Sequence, residues 1–551
     1  MKRGILLILT VLALVMIPLV TLSYAAIGDY DFSSPQDGDV DGKDLAALIA
    51  GSGPDIASFA GFFGQTYSVT ARRPNILLII GDDIGIDVMT NLYPGLIGQL
   101  EGMYGVGSGV RGNPASLPVL TDRLAAQGMV FSNAWAQPVC SPTRATVVTG
   151  LFEDKTRVLA PGTPMSTYHT TFVKLLKESG YSTALFGKWH LGTGGTSGVM
   201  PKQAGFDLYK GNNGGGLSPS FWSYSYHIQD DATTETAFRT ESAPTRSLPG
   251  IAATTFATVV QAADTIEWIN ARKAENPDKP WFVYLSFNET HSPMHVPNED
   301  TLNEDTKADL NGCGAYGSTG ASCSLKVRER AMANAMDTVT GKVLDAVDAI
   351  GSNTYVIFIG DNGTDVSTTS GDCIDNMYLT TSGRGKGTVY ESGARVAMAV
   401  RGPGITTGSW STEFVHVADL FATILTMAGL TPPATNLSNT GATVDSDSKS
   451  LTPILFGSAS TVRDPNEGYT LTETNYLAYK VGARNATYKV VCSGSTSNCT
   501  FFNLVTDPLE EYPLLSTKPD CTNYRTTYST ADPEWHYCRL IEVVTNYSIF
   551  P

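Results

Sequence analysis

Residues 76–83 read Ile-Leu-Leu-Ile-Ile-Gly-Asp-Asp, a continuous apolar run that ends in two carboxylates. A strand that is apolar at every position, and not at alternate ones, has to be covered on both faces, as in a parallel sheet with helices on each side. Four more runs have this form: Ser182–Phe186, Phe282–Phe287, Tyr355–Ile359 and Val396–Val400. Ahead of the fourth, Met336, Val339, Val343, Val347 and Ile350 recur at three- to four-residue spacing and stop at Gly351. That spacing predicts a helix with one buried face and a glycine stop. The expectation is an α/β domain: a large, mainly parallel sheet sandwiched by helices.

The residues just past the strand ends point to function. The first strand runs into Gly81-Asp82-Asp83, the second into Gly187-Lys188-Trp189-His190, the third into Asn288-Glu289-Thr290-His291 and the fourth into Gly360-Asp361-Asn362-Gly363. Functional groups in open parallel sheets gather at the carboxyl ends of strands, so the four clusters are expected to converge on one edge. Asp82, Asp83, Asp361 and Asn362 offer only oxygen atoms, with no His or thiolate at ligand spacing. That donor set selects a hard divalent cation, calcium first and magnesium second.

The chain has 551 residues, 42% hydrophobic, with a formal net charge of -16. It is long enough to bury a large core, and its charge argues against nucleic acid as a partner. Lys2 and Arg3, the apolar run Ile5–Leu22 and Ser23-Tyr24-Ala25 read as an export signal cut after Ala25. The competing reading is an uncleaved membrane anchor. Either way the body of the chain is expected in the periplasm or outside the cell. Asp37, Asp39, Asp41 and Asp44 alternate with glycine in the next segment, which resembles half of a dockerin-type calcium repeat or is a solvated acidic linker.

From about Leu455 onward, short β-prone runs such as Tyr488–Val491 predict a smaller antiparallel-sheet subdomain. The expected division is 1–25 signal, 26–71 acidic segment, 72–454 catalytic domain and 455–551 C-terminal subdomain. Eight cysteines fit an oxidising compartment. With Cys140 set aside for the motif it opens, proximity suggests Cys313 with Cys323, Cys492 with Cys499 and Cys521 with Cys538, leaving Cys373 free, although spacing does not fix connectivity.

Cys140-Ser141-Pro142-Thr143-Arg144 resembles the Cys-x-Pro-x-Arg signature of the type I sulfatases, within the alkaline phosphatase superfamily. Leu120–Ala125 and Phe131–Ala134 before it are similar to that family, as are the runs at 187–192, 291–295 and 385–388 after it. His416–Leu420 and Phe502-Asn503-Leu504 resemble its later landmarks.

The resemblance implies a sulfuric ester hydrolase of arylsulfatase type. Cys140 would be oxidised to formylglycine by a maturation enzyme, and Asp82, Asp83, Asp361 and Asn362 would hold calcium. A hydrated aldehyde has one hydroxyl to attack sulfur, helped by the cation and Arg144, and a second with which to expel sulfate. Lys188 and Lys386 would bind sulfate oxygens. His291 with Lys386 would protonate the leaving alcohol, and His190 would act as the base that collapses the intermediate.

Two rivals are a phosphonate or phosphodiester hydrolase of the same superfamily and a calcium-dependent binding protein on an inactive sulfatase fold. A sulfated glycan is the expected substrate, read by loops such as Gly211–Thr245 and Thr301–Ser324. Phe221, Trp222, Tyr224 and Tyr226 would form a sugar platform or pack inside. His227 and His295 take no role. Sequons occur at Asn485 and, inside site motifs, at Asn288 and Asn362.

Overall fold

The structure is a computed structural model that describes residues 72–93, 103, 115–194, 197–351, 353–365, 384–476 and 478–547. The export signal, the acidic segment and Cys373 lie outside these residues. The chain divides after Arg72, and residues 73–551 form one compact unit. Among the described residues no helix is long and apolar enough to cross a membrane.

Ten strands make the main sheet: β1 (Asn75–Gly81), β2 (Met129–Trp135), β3 (Ser182–Lys188), β4 (Leu208–Asn212), β5 (Ser225–Gln229), β6 (Arg239–Ser242), β7 (Trp281–Ser286), β8 (Thr354–Gly360), β9 (Arg395–Arg401) and β10 (Ser409–His416). Their order is β10-β2-β9-β8-β1-β7-β3-β4-β5-β6. The four strands with polar ends, β8, β1, β7 and β3, are adjacent and parallel, so those ends lie side by side. The fifth expected strand, β9, runs antiparallel to both its neighbours, β8 and β2. Its amino end therefore faces the edge where the other strands finish, and the segment ahead of it reaches that edge too.

The continuous apolar run is explained by two cores. Leu77 and Ile79 of β1 face α3 (Ala257–Glu275) and α4 (Leu325–Asp348), where Val259, Val260, Met336, Val339 and Val343 are buried. Ile76, Leu78 and Ile80 face α1 (Cys140–Thr149), α2 (Phe172–Glu178) and α5 (Asp419–Met427), meeting Val147, Val148, Phe172, Leu176 and Phe421. Alternate side chains of one strand point to opposite faces, so a strand in mid-sandwich is apolar throughout. The expected helix is the second half of α4, which begins eleven residues earlier, where the Ser324 side chain accepts from Val327 N–H, and ends at Asp348, so that Ile350 and Gly351 lie just past it.

The C-terminal part holds a four-stranded antiparallel sheet: β11 (Thr470–Thr474), β12 (Lys480–Arg484), β13 (Tyr488–Ser493) and β14 (Cys499–Asn503). The helix α6 (Pro533–Tyr547) covers it with Trp535, Leu540, Val543 and Val544 packed on Leu471, Val481, Ala483 and Val490. Disulfides join Cys313 to Cys323, Cys492 to Cys499 and Cys521 to Cys538, the three pairs suggested by proximity. The small sheet is tied to the large domain by a buried charge network. Lys489 Nζ lies 2.7 Å from Glu510, 3.2 Å from Glu391 and 4.5 Å from the Trp135 ring centre. Arg484 pairs with Glu391 at 3.3 Å, and Trp135 Nε1 donates to Glu391 at 2.9 Å.

Candidate active site

Cys140 begins α1, directly after the short link that leaves β2, so the carboxyl end of a strand and the amino end of a helix meet at its side chain. Pro142 is accommodated in the first turn, where a missing N–H is not needed. The N-terminal helix amides favour negative charge at this point. Helix α1 ends at Gly150, in the left-handed conformation, where a Cβ would lie 2.9 Å from Phe421. Cys140 is 1% exposed and is the free cysteine among the described residues. Burial pushes its thiol up, and the opposing charges of Lys188 and Lys386 do not reverse this. The unmodified side chain is therefore a protonated thiol near neutral pH and a weak nucleophile.

Three carboxylates and three cations alternate around it. Arg144 Nη2 lies 2.8 Å from Asp361 and 3.7 Å from Asp82 Oδ1. Lys188 Nζ lies 2.6 Å from Asp82 Oδ2, and Lys386 Nζ lies 2.6 Å from Asp83 Oδ2. Asp83 N–H donates to Asp361 Oδ1 at 3.0 Å, and Asn362 Nδ2 donates to Asp83 Oδ1 at 2.9 Å. Burial alone would raise Asp83, but Lys386, His291 and Lys188 outweigh it and hold this carboxyl well below the usual range. Asp361 is pushed up to about 7 by burial and by the charge of Asp82, with Arg144 opposing.

Asp82 Oδ1 and Asn362 Oδ1 are sealed from solvent and accept no hydrogen bond among the described residues. Ligand atoms of Asp82, Cys140 and Asp361 lie within 4.8 Å of one another, as do those of Asp83, Cys140 and His291. Buried oxygen acceptors without donors, gathered with carboxylates at one point, fit a hard divalent cation.

The two histidines complete the ring. His291 Nδ1 donates to Ser292 O at 2.7 Å, which leaves Nε2 on the side of Asp83 Oδ2, 3.7 Å away. Burial lowers His291 to about 4; Asp83 opposes this, while Lys188 and Lys386 reinforce it. His190 is lowered by burial and then by Lys188 and Arg144. Its carbonyl accepts from Ser141 Oγ at 2.9 Å, which ties it to the Cys140 helix. Asp83 and His190 both adopt left-handed backbone, φ 58° and 61°, a strained state for non-glycine residues that is found at functional sites.

The ten residues singled out in the sequence, Asp82, Asp83, Cys140, Arg144, Lys188, His190, His291, Asp361, Asn362 and Lys386, thus share one site. Two supports are new. Ser286, at the end of β7, lies 2.5 Å from Arg144 Nη1. Thr143 Oγ1 donates to Asp361 O at 2.6 Å. The available sequence signal was position alone: Ser286 is the last residue of a strand whose next residues form a site motif.

Phe221, Tyr224 and Tyr226 are buried in the core, and Trp222 packs against it, so the aromatic run is packing and not an open platform. His295 is buried with its ring 5.1 Å from that of Trp222. His227 Nδ1 accepts from Asn213 N–H at 3.4 Å. Asn485 is fully buried and its amide meets His536 at 2.9 Å, so that sequon cannot carry a glycan in the folded chain. Asn288 and Asn362 are fully buried too.

The family model for sulfatases matches residues 74–430. The chain is 29% identical over 383 residues to N-acetylgalactosamine-6-sulfatase of Mus musculus, covering 66% of this chain and 64% of that protein. It is 26% identical over 419 residues to arylsulfatase A of Homo sapiens, covering 71% and 70%. The chain spans just under two thirds of the length of the N-acetylgalactosamine-6-sulfatase it matches. The fold is similar to that of a protein solved in complex with its substrate D-glucosamine-2-N,6-O-disulfate, with TM-score 0.57 and 18% identity, covering 86% of this chain and 98% of that one.

Proposed function

The chain belongs to the sulfatase family, and we propose that it hydrolyses sulfate esters with Cys140 as the precursor of its nucleophile. The observation that carries this reading is the set of three cations, Arg144 and Lys188 buried and Lys386 half-buried, held by carboxylates around one buried cysteine at a helix amino end. Oxidised to formylglycine by a maturation enzyme, Cys140 would supply a hydrated aldehyde with one hydroxyl to attack sulfur and a second to expel sulfate. A calcium ion held by Asp82, Asp83, Asp361 and Asn362, with magnesium the second choice, would supply positive charge to the nucleophile and the sulfate oxygens.

The remaining work falls to the chain's own side chains. Lys188 and Lys386 bind sulfate oxygens, and Arg144 stabilises charge beside the nucleophile, in a site that needs no reorganisation. Lys386 stays charged because Asp83, Cys140 and Asp82 together more than offset its burial. His291, with its tautomer set by Ser292 O, takes up a proton at Nε2 and passes it to the departing alcohol. Burial holds it down first and the two lysine charges add to this, and a bound sulfate would offset the lysine part. His190 is neutral near pH 7 and accepts the proton released when sulfate is expelled.

The substrate in this proposal is a sulfated glycan. Support comes from the relatives, one a sulfatase of N-acetylgalactosamine and one bound to a disulfated glucosamine. Three disulfides support export to an oxidising compartment, periplasmic or extracellular. The test is release of inorganic sulfate from nitrophenyl sulfate and from a panel of sulfated glycans, with and without chelator, beside an aryl phosphate diester. Sulfate release that chelation abolishes and calcium restores is expected. Faster turnover of the diester would assign the site to phosphoester or phosphonate chemistry instead.

A further inference from the structure

The loop that leaves β4, Asn212-Asn213-Gly214-Gly215-Gly216-Leu217, opens the stretch expected to read the substrate, but none of its residues has an assigned role in the chemistry above. Its backbone lies against both histidines. A Cβ on Gly215 would sit 2.9 Å from His190 Cε1 and 3.1 Å from its Nε2. One on Gly216 would sit 2.9 Å from His291 Nδ1 and 3.0 Å from its Cε1, and 2.9 Å from Ser292 O. Ordinary contact between carbons begins at about 3.5 Å. Neither position can carry a side chain unless an imidazole or the backbone moves.

Backbone conformation is not what demands glycine here, since neither residue has the positive φ that favours it. Gly214 differs: its Cβ would come no closer than 3.3 Å to anything, and that atom is Asn212 Oδ1. The loop is tied by Asn212 Nδ2 to Gly216 O at 3.1 Å and by Gly214 N to Asn212 Oδ1 at 2.7 Å. The N–H groups of Gly215 and Gly216 donate to no acceptor among the described residues. Beside them Asn213 is only 9% exposed, and its sealed Oδ1 accepts no hydrogen bond among those residues. Partly buried donors beside two proton-transfer groups, with a buried acceptor lacking a donor on the neighbouring residue, are suited to polar atoms of a ligand.

We propose that Asn213, Gly215 and Gly216 form the specificity-determining wall of the site: Gly215 and Gly216 position His190 and His291, and their open amides with Asn213 receive the alcohol half of the ester, a sugar ring. This rests on the sulfatase reading. Gly215→Ala, Gly216→Ala, Asn213→Ala and the control Gly214→Ala are to be compared with the parent on nitrophenyl sulfate and on a sugar sulfate that the parent turns over. Moving a proton donor by about 1 Å costs up to about a hundredfold, so Gly216→Ala should lower kcat by about that factor on the sugar sulfate. It should spare nitrophenyl sulfate, whose alcohol leaves without a proton. Gly215→Ala should slow both esters alike, because sulfate expulsion follows loss of the alcohol. Asn213→Ala should raise KM for the sugar sulfate alone, and Gly214→Ala should match the parent.

Parent-like kinetics for Gly215→Ala and Gly216→Ala, or equal losses on both esters for Gly216→Ala, overturn the wall. Should either alanine protein fail to fold, the other and Asn213→Ala decide it. A parent that releases no sulfate counts against the activity and not the wall, which crystal structures of the alanine variants then judge. Imidazoles displaced from their parent positions uphold it, and unmoved imidazoles overturn it.

Discussion

Lys489→Met removes the cation at the centre of the junction between the small sheet and the catalytic domain. Lys489 is fully buried, 2.7 Å from Glu510 and 3.2 Å from Glu391, and both carboxylates are buried as well. Methionine fills much of the same volume but leaves the two carboxylates to Arg484, 3.3 Å from Glu391, and the weaker influence of Arg395. Breaking a buried pair by removing one partner costs about 3–5 kcal/mol, because the surviving charge is uncompensated. Denaturant unfolding of parent and variant at fixed pH measures this loss.

The pH dependence gives a second check. Burial and the charge of Glu391 already hold Glu510 above its usual value against the pull of Lys489, and losing that lysine raises it further. A carboxyl with a raised folded value contributes stability that is full below its unfolded value, about 4.3, and is lost as pH rises through the folded one. The defect should therefore be smaller at pH 5 than at pH 8. Lys489→Met combined with Glu510→Gln should recover more than half of the loss at pH 8. Turnover should fall as well, since Glu391 lies in the turn after Lys386 and Trp135 lies just ahead of Cys140. A loss under about 1 kcal/mol, or one that does not change with pH, would refute the reasoning.

His291→Ala should lower turnover of unactivated sulfate esters by about a hundredfold to ten-thousandfold and leave nitrophenyl sulfate far less affected; equal losses on both would remove its role as acid. Ser286→Ala deletes the 2.5 Å contact to Arg144, and a lost hydrogen bond to a buried charge, about 1.5–3 kcal/mol, should slow turnover about tenfold or more without altering the cysteine's modification by peptide mass spectrometry. Cys140→Ser should fold like the parent and, in a host that does not convert serine, accumulate one sulfate ester per chain, visible by intact mass; continued turnover by unconverted serine would refute the need for a second hydroxyl.

Much of this site was legible in the sequence because its causes are local. An apolar run without alternation, as at Ile76–Ile80, reports burial on two faces, and a polar cluster straight after it reports a strand end. All-oxygen residues at two such ends favour a hard cation over a soft one. The spacing of Met336, Val339 and Val343 likewise carried the buried face of a helix.

Strand order and direction leave no such local trace. Val396–Val400 reads like the other four runs, yet β9 is antiparallel, and that reversal is what brings Lys386 to the edge where β1, β3, β7 and β8 finish. The aromatic run at Phe221–Tyr226 has the composition of a sugar platform and of a core alike, and only the packing of α3 against it shows which it is. Ser286 on Arg144, Lys489 between Glu391 and Glu510, and Gly215 and Gly216 on the two histidines join residues far apart in the chain. Burial and periodicity are properties of a segment and can be read from it. Contacts between segments depend on how the whole chain crosses itself, and only the tertiary structure decides them.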